Sequence, residues 1–169
     1  MSSKAKTAPP PQKMVEVTLA SCWKRIIAWV YDLLGGLAVF ILALVIGLLA
    51  STLIALPFGY SGAEVSQSLS NNPLWLVYIF ACVQYYYVWC WVKGGQTVGM
   101  RTWRLKLCKP DGQLLTWQEG YIRSFASLGG IGTLWCIVDK ENRGLQDLAC
   151  DSRVVLLPKE SRKKEKPLL

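Results

Sequence analysis

The chain has 169 residues, 52% of them hydrophobic, with 19 Lys and Arg against 11 Asp and Glu and no histidine. The lack of histidine removes the commonest general base and metal ligand, which argues against hydrolase and metalloenzyme chemistry. Two long apolar runs take up so much of the length that no separate large catalytic domain fits beside them.

In chain order, residues 1–19 are mostly polar, carry Pro9-Pro10-Pro11 and read as a flexible cytoplasmic tail rather than a signal peptide. Arg25 and Asp32 then open an apolar stretch, and Leu33 to Leu56 follows without a charge. Because roughly 20 apolar residues cross the hydrocarbon core, this predicts a membrane-spanning helix over 26–56. An ionisable side chain in such a helix costs about 2.5–3.5 kcal/mol on insertion scales, so Asp32 needs a reason to be there. Two depths stay open for it, the hydrocarbon itself or the inner headgroup boundary, since Leu33 to Leu56 is long enough to cross alone. Arg25 and Asp32 share one helical face about 10 Å apart along the axis, a spacing that would stretch a direct salt bridge. A third group, water or an ion between them is more natural than an isolated pair. Gly35-Gly36 would let another helix come close at that level.

Residues 57–73, with Pro57, Gly59, Gly62, Asn71, Asn72 and Pro73 and Glu64 as the one charge, read as a polar loop. Leu74 to Val92 is uncharged and predicts the second span over 74–92. Beyond Gly94-Gly95, Trp103 to Cys108 alternates apolar and charged residues like a half-buried strand. Lys109-Pro-Asp-Gly112 signals a turn and Gln113 to Thr116 a return strand, which together predict a short cytoplasmic β-hairpin. Thr116-Trp-Gln-Glu119 has capping-box spacing, so a helix should open near Trp117 and carry Arg123. Phe125 to Val138 is apolar, broken by Gly129-Gly130 and Gly132, and too short for a comfortable crossing; it predicts a re-entrant or interfacial segment. A true third crossing would put the Lys159 to Lys166 cluster outside. Residues 158–169 form a basic cytoplasmic tail.

No Lys or Arg lies between Arg25 and Lys93, a complete positive-inside bias that places both termini in the cytoplasm and the 57–73 loop on the other side. The net charge of +8 then faces anionic headgroups; no nucleic-acid motif accompanies it. Trp23, Trp29 and Tyr31, and Tyr85 to Trp91 opposite Trp75 and Tyr78, resemble aromatic belts. The six cysteines show no Cys-x-x-Cys spacing and none lies in the outer loop, so neither a disulfide nor a thiolate metal site is expected. The expected fold is a membrane all-α core of two transmembrane helices with the hairpin and the interfacial segment beneath it, over residues 20–157.

The stretch from Ala20 to Asp32, which holds Arg25, resembles the opening signature of the RDD family of small bacterial membrane proteins, named for one Arg and two Asp. Gly95-Gln-Thr97-Val-Gly99-Met-Arg101, Asp111-Gly112 and Arg123 resemble its middle, and Asn142 to Val155 its closing His-Asp-x-x-x-x-Thr-x-Val pattern. By that resemblance the name residues are Arg25, Asp32 and Asp147, with Arg123, Gln146, Ser152, Thr97 and Gly99 in support. Gln146 stands where the family usually has His, so a proton-relay role does not carry over; Ser152, in place of Thr, keeps the hydroxyl. The resemblance implies no cofactor and a function that is mostly undefined, with ligand transport or cation/proton exchange suggested.

Two readings follow. In the transport reading, Asp32 and Asp147 bind a cation or proton with Arg25 as internal competitor, and two spans per chain demand a homo-oligomer or a partner membrane protein. In the accessory reading, Arg25, Asp32, Asp147 and Arg123 form a structural clasp beneath the spans. No nucleophile–base or metal constellation points to an enzyme. Either reading places the chain in a bacterial inner membrane. Reporter fusions at Gly62 should read as external, and fusions at Gly112 and Leu169 as cytoplasmic; an external Leu169 would overturn the two-span topology.

Overall fold

The computed structural model describes residues 19–139 and 143–158. The expected tails lie outside them except for Leu19 and Pro158, as does Asn142.

Helix α1 (Cys22–Ala55) has 34 residues, about 51 Å at 1.5 Å per residue, and so outruns a hydrocarbon core of roughly 30 Å. With the 3-10 turn Leu56–Phe58 it makes one candidate membrane span, and α3 (Pro73–Gly94) makes the other. Arg25, Ala28, Asp32, Gly36, Ala43 and Gly47 are the buried residues of α1. They recur at three-, four- and seven-residue intervals, one face of a helix made of small residues and the two charges. Aromatic side chains of α3 fill the space those small residues leave. Tyr87 lies against Gly36, and Trp75 and Tyr78 against Gly47. The Tyr87 hydroxyl donates to the Asp32 backbone carbonyl at 2.8 Å and Tyr78 to that of Ala43 at 3.3 Å. Glycine opposite tyrosine thus gives close packing and a partner for each hydroxyl.

The expected polar loop between the spans is partly helical. Helix α2 (Gly62–Ser70) opens on a capping box in which Ser61 and Glu64 satisfy each other's backbone N–H. The Ser-x-x-Glu signature was present in the sequence, beneath the glycine, proline and asparagine that suggested a loop.

Gly95 closes α3 with φ of 65°, and a Cβ there would come within 2.8 Å of the Leu107 carbonyl oxygen. Only glycine suits both demands. The chain then forms α4 (Val98–Thr102) and β1 (Leu105–Cys108). The Lys109–Gly112 turn forms, with Gly112 N–H donating to the Lys109 carbonyl at 2.9 Å. The expected hairpin does not. Strand β1 pairs antiparallel with β2 (Arg153–Leu156), Leu107 opposite Val154, and Leu19 bridges to Val155. Gln113 to Thr116 is drawn off because Thr116 must cap α5 (Trp117–Ala126), where it shares a capping box with Glu119. Val154 and Val155 are buried β-branched residues that suit the vacant edge better. Lys109, 2.8 Å from Glu119, and the Thr116 N–H hold the Glu119 carboxyl at about 2.

Leu105, Leu107, Leu115, Met100, Ala20, Ala28 and Val154 form the core beneath the spans. Next to it, the segment Leu128–Ile137 is a 3-10 helix broken at Gly129 and Gly130. At a rise of about 2.0 Å per residue its ten residues reach only about 20 Å, short of a crossing. Ile131, Trp135, Ile137 and Val138 project outward from it. Helix α6 (Leu145–Ala149) completes the chain before β2.

One expectation about cysteine is corrected: Cys22 and Cys136 are joined as a disulfide. Their separation of 114 residues leaves no spacing signal, and only the docking of the 3-10 segment against the start of α1 brings them together.

Leu107, fully buried in the two-stranded sheet, should respond to Leu107→Ala with a loss of about 2–5 kcal/mol, read as a clear fall in Tm in detergent. Leu53→Ala, on the exposed face of α1, should change little; equal losses would show that the small sheet does not carry the core.

Candidate functional site

Seven residues of separation keep Arg25 and Asp32 apart, and each finds its partner on another element. Helix α6 is one short turn, and Asp147 sits in it so that the carboxylate reaches back to the Gly144 N–H at 2.9 Å. The same carboxylate accepts from Arg25 Nη1 on one oxygen and from Arg123 Nη1 on the other at 2.6 Å. Its side chain is 0% exposed. Arg123 also donates to Ser152 Oγ at 2.7 Å and lies 5.3 Å from the Trp91 ring centroid, a cation–π contact. Arg25 Nη2 reaches the Val154 carbonyl at 3.5 Å, and the Ser152 N–H donates to the Asp147 carbonyl at 3.0 Å. One carboxylate therefore ties α1, α5, α6 and β2 together.

Burial works against ionisation of Asp147, but Arg123, Arg25 and the Gly144 N–H outweigh it and hold the carboxyl below its ordinary 3.8.

Asp32 has a separate set of partners. The Thr97 hydroxyl donates to one oxygen at 2.5 Å and the Gly99 N–H to the other at 2.8 Å. Thr97 caps α4 as well, accepting from Met100 N–H. Gly99 is required by proximity, since a Cβ would run into the Ala28 carbonyl oxygen and the Asp32 carboxylate. The Thr97-x-Gly99 spacing thus presents a hydroxyl and an amide to one carboxylate and draws α4 onto α1. No ion pair links Arg25 to Asp32, so the expected single clasp of Arg25, Asp32, Asp147 and Arg123 is two clasps on one helix. Gln146 donates to Thr133 Oγ1 at 2.8 Å and so ties α6 to the 3-10 segment.

Of these residues Arg25, Asp32, Arg123, Thr133 and Gln146 border a cavity of about 520 Å³. Arg25, Arg123, Gln84, Ser124, Thr133 and Gln146 supply polar wall, while Leu33, Leu37, Phe40, Phe80 and Val83 supply apolar wall. Gln84, whose amide oxygen accepts from Ser124 Oγ, was missed in the sequence. A lone amide within an otherwise apolar span was the available signal. Trp29, which donates to the Gly129 carbonyl at 3.2 Å, gave none beyond its aromatic character. Among the described residues no group of three or more His, Cys, Asp or Glu is placed to hold a metal ion.

Residues 19–151 match the model of the RDD family. The chain belongs to the RDD family. Members are known as small membrane proteins, and the two apolar helices of this one agree with that. No curated protein and no solved structure matches the chain. Within this RDD protein the arginine and the two aspartates are buried together on the same side of the fold, but pair as Arg25 with Asp147 and as Asp32 with α4.

Asp147→Asn should cost about 3–5 kcal/mol, because it strands two buried guanidinium groups; Arg25→Ala with Asp147→Asn should lose less than the two single losses added. Strictly additive losses would show that the two residues do not interact. Since the folded carboxyl of Asp147 lies below its unfolded value, its contribution is complete above pH 3.8 and fades as the pH falls through the lower folded value. Acid melts of wild type and Asp147→Asn should therefore converge only at the low end.

Proposed function

We propose that this RDD protein is a non-catalytic accessory protein of the bacterial inner (plasma) membrane, with both termini cytoplasmic, whose buried charges are structural and whose cavity binds a ligand. The observation that carries this reading is the commitment of both carboxylates: each oxygen of Asp32 and of Asp147 already accepts a hydrogen bond from the protein. A cation approaching Asp32 would meet an amide N–H and a hydroxyl donor occupying its ligating positions, and would have to displace α4 from α1. Transport through Asp32 thus requires the helix packing to break on every cycle, whereas a clasp needs it only to persist.

The absence of Lys and Arg between the spans supports the proposed topology, which puts the basic surface of the chain against anionic headgroups; the Cys22–Cys136 disulfide would lie on that same side, which runs against it. The apolar outer faces of α1 and α3 leave room for a second copy or a partner membrane protein.

Purified protein in sealed liposomes under an imposed pH gradient should move no Na⁺, K⁺ or Li⁺ above the level of empty liposomes. Asp32→Asn should lower Tm, by about 1–3 kcal/mol of stability, because its amide cannot accept from both Thr97 and Gly99. A pH-dependent cation flux that Asp32→Asn abolishes while Tm stays unchanged would overturn the accessory reading and establish transport.

A further inference from the structure

The cavity has a polarity gradient that its clasp does not explain. Its apolar side is walled by Leu37, Phe40 and Phe80, each at least 40% exposed, so it opens outward along the membrane spans. Its other side is bordered by Arg25, Arg123 and Gln146, each only 5% exposed. In those three residues Arg25 Nε, Arg123 Nε and Gln146 Oε1 are buried and have no hydrogen-bond partner. Buried donors and acceptors left unmatched are costly, and a charged donor most of all. Two guanidinium groups face one carboxylate in the Arg25–Asp147–Arg123 clasp, leaving one positive charge in excess. Asp32 also borders the cavity, but lies about 10 Å further along α1, so the positive excess is local to the Arg25–Arg123 end of the cavity.

We propose that the cavity binds a singly charged anionic phospholipid with a hydroxylated headgroup, of the phosphatidylglycerol type. The inference rests on the cavity being a binding site, and names its ligand class. The phosphodiester sits at the end walled by Arg25 and Arg123, where its single charge balances the local excess and its oxygens accept from the two unpartnered Nε–H groups once these side chains turn toward it. A headgroup hydroxyl donates to Gln146 Oε1, which a pure acceptor could not satisfy. The acyl chain lies along Leu37, Phe40 and Phe80 and leaves through the open side into the bilayer. A volume of about 520 Å³ lies within the roughly 300–1,000 Å³ of small-molecule sites, enough for the head and part of one chain. A free anion would leave the apolar wall bare, and a zwitterionic lipid would bring a cation to a site that already has one too many.

The test is native mass spectrometry of the full-length, delipidated protein in detergent, with phosphatidylglycerol, phosphatidylmethanol, phosphatidylethanolamine and phosphatidylcholine added in equal amounts. Phosphatidylglycerol should be retained best, phosphatidylmethanol, which has the charge without the hydroxyls, next, and the two zwitterionic lipids least. Leu37→Trp, which fills the apolar half without touching the clasp, should weaken phosphatidylglycerol retention about tenfold while Tm in lipid-free detergent holds; Leu53→Trp, outside the cavity, should retain it. Gln146→Leu should erase the preference of phosphatidylglycerol over phosphatidylmethanol. Equal retention of all four lipids, or retention unaffected by Leu37→Trp, overturns the proposal. Displacement of phosphatidylglycerol by inorganic phosphate also overturns it, since the site would then take a free anion. The accessory reading fails separately, on cation flux.

Discussion

Everything packed at the start of α1 depends on one buried carboxylate. Asp147 accepts from Arg25 on α1 and Arg123 on α5 while its own short helix folds back on it through Gly144. Two guanidinium groups cannot be buried side by side without such an anion, and the anion cannot be buried without them; each is costly alone. The arrangement therefore specifies a unique docking of α1, α5 and α6. Ser152 and the Val154 carbonyl take up further donors of the same arginines and carry the constraint into β2.

Helix α1 is the spine on which both clasps hang. Its buried face carries charge near the start and small residues beyond, so α4, α5 and α6 are held by polar contacts at one end and α3 by glycine–aromatic packing along the length. The Asp32 clasp and the Tyr87 hydroxyl meet at the same turn of α1, one through the side chain and the other through the backbone carbonyl. Placing an acid there demands no cation, because an amide and a hydroxyl already meet its needs.

The consequence for function lies in what is left over. Charges that look like an ion path in the sequence are consumed by the fold, while the space they frame stays open and amphipathic, with unmatched donors at one end and hydrocarbon at the other. The proposed lipid occupant follows from that amphipathic shape. Gln146 fits the same picture, since its amide links α6 to the 3-10 segment without a titrating proton.

Length, hydropathy and spacing were enough to place the two long apolar helices, the Lys109–Gly112 turn and the capping box that opens α5, because each depends on residues within a few positions of one another. They also marked Arg25 and Asp32 as charges needing partners and put Arg123 on a helix, while Asp147 came only from the family resemblance. Which partner each would take was beyond them. Arg25 and Asp147 are 122 residues apart and Asp32 and Thr97 are 65, and no local pattern distinguishes those pairings from Arg25 with Asp32 on a shared face. The strand at 105–108 was legible from alternation, but its partner was decided by competition: Thr116 is committed to capping a helix, so Val154 and Val155 take the edge. The Cys22–Cys136 pair and the cavity are likewise products of where distant segments come to rest. Local free energies select the elements, and the burial of charge, possible only when elements from both ends of the chain meet, decides how they assemble.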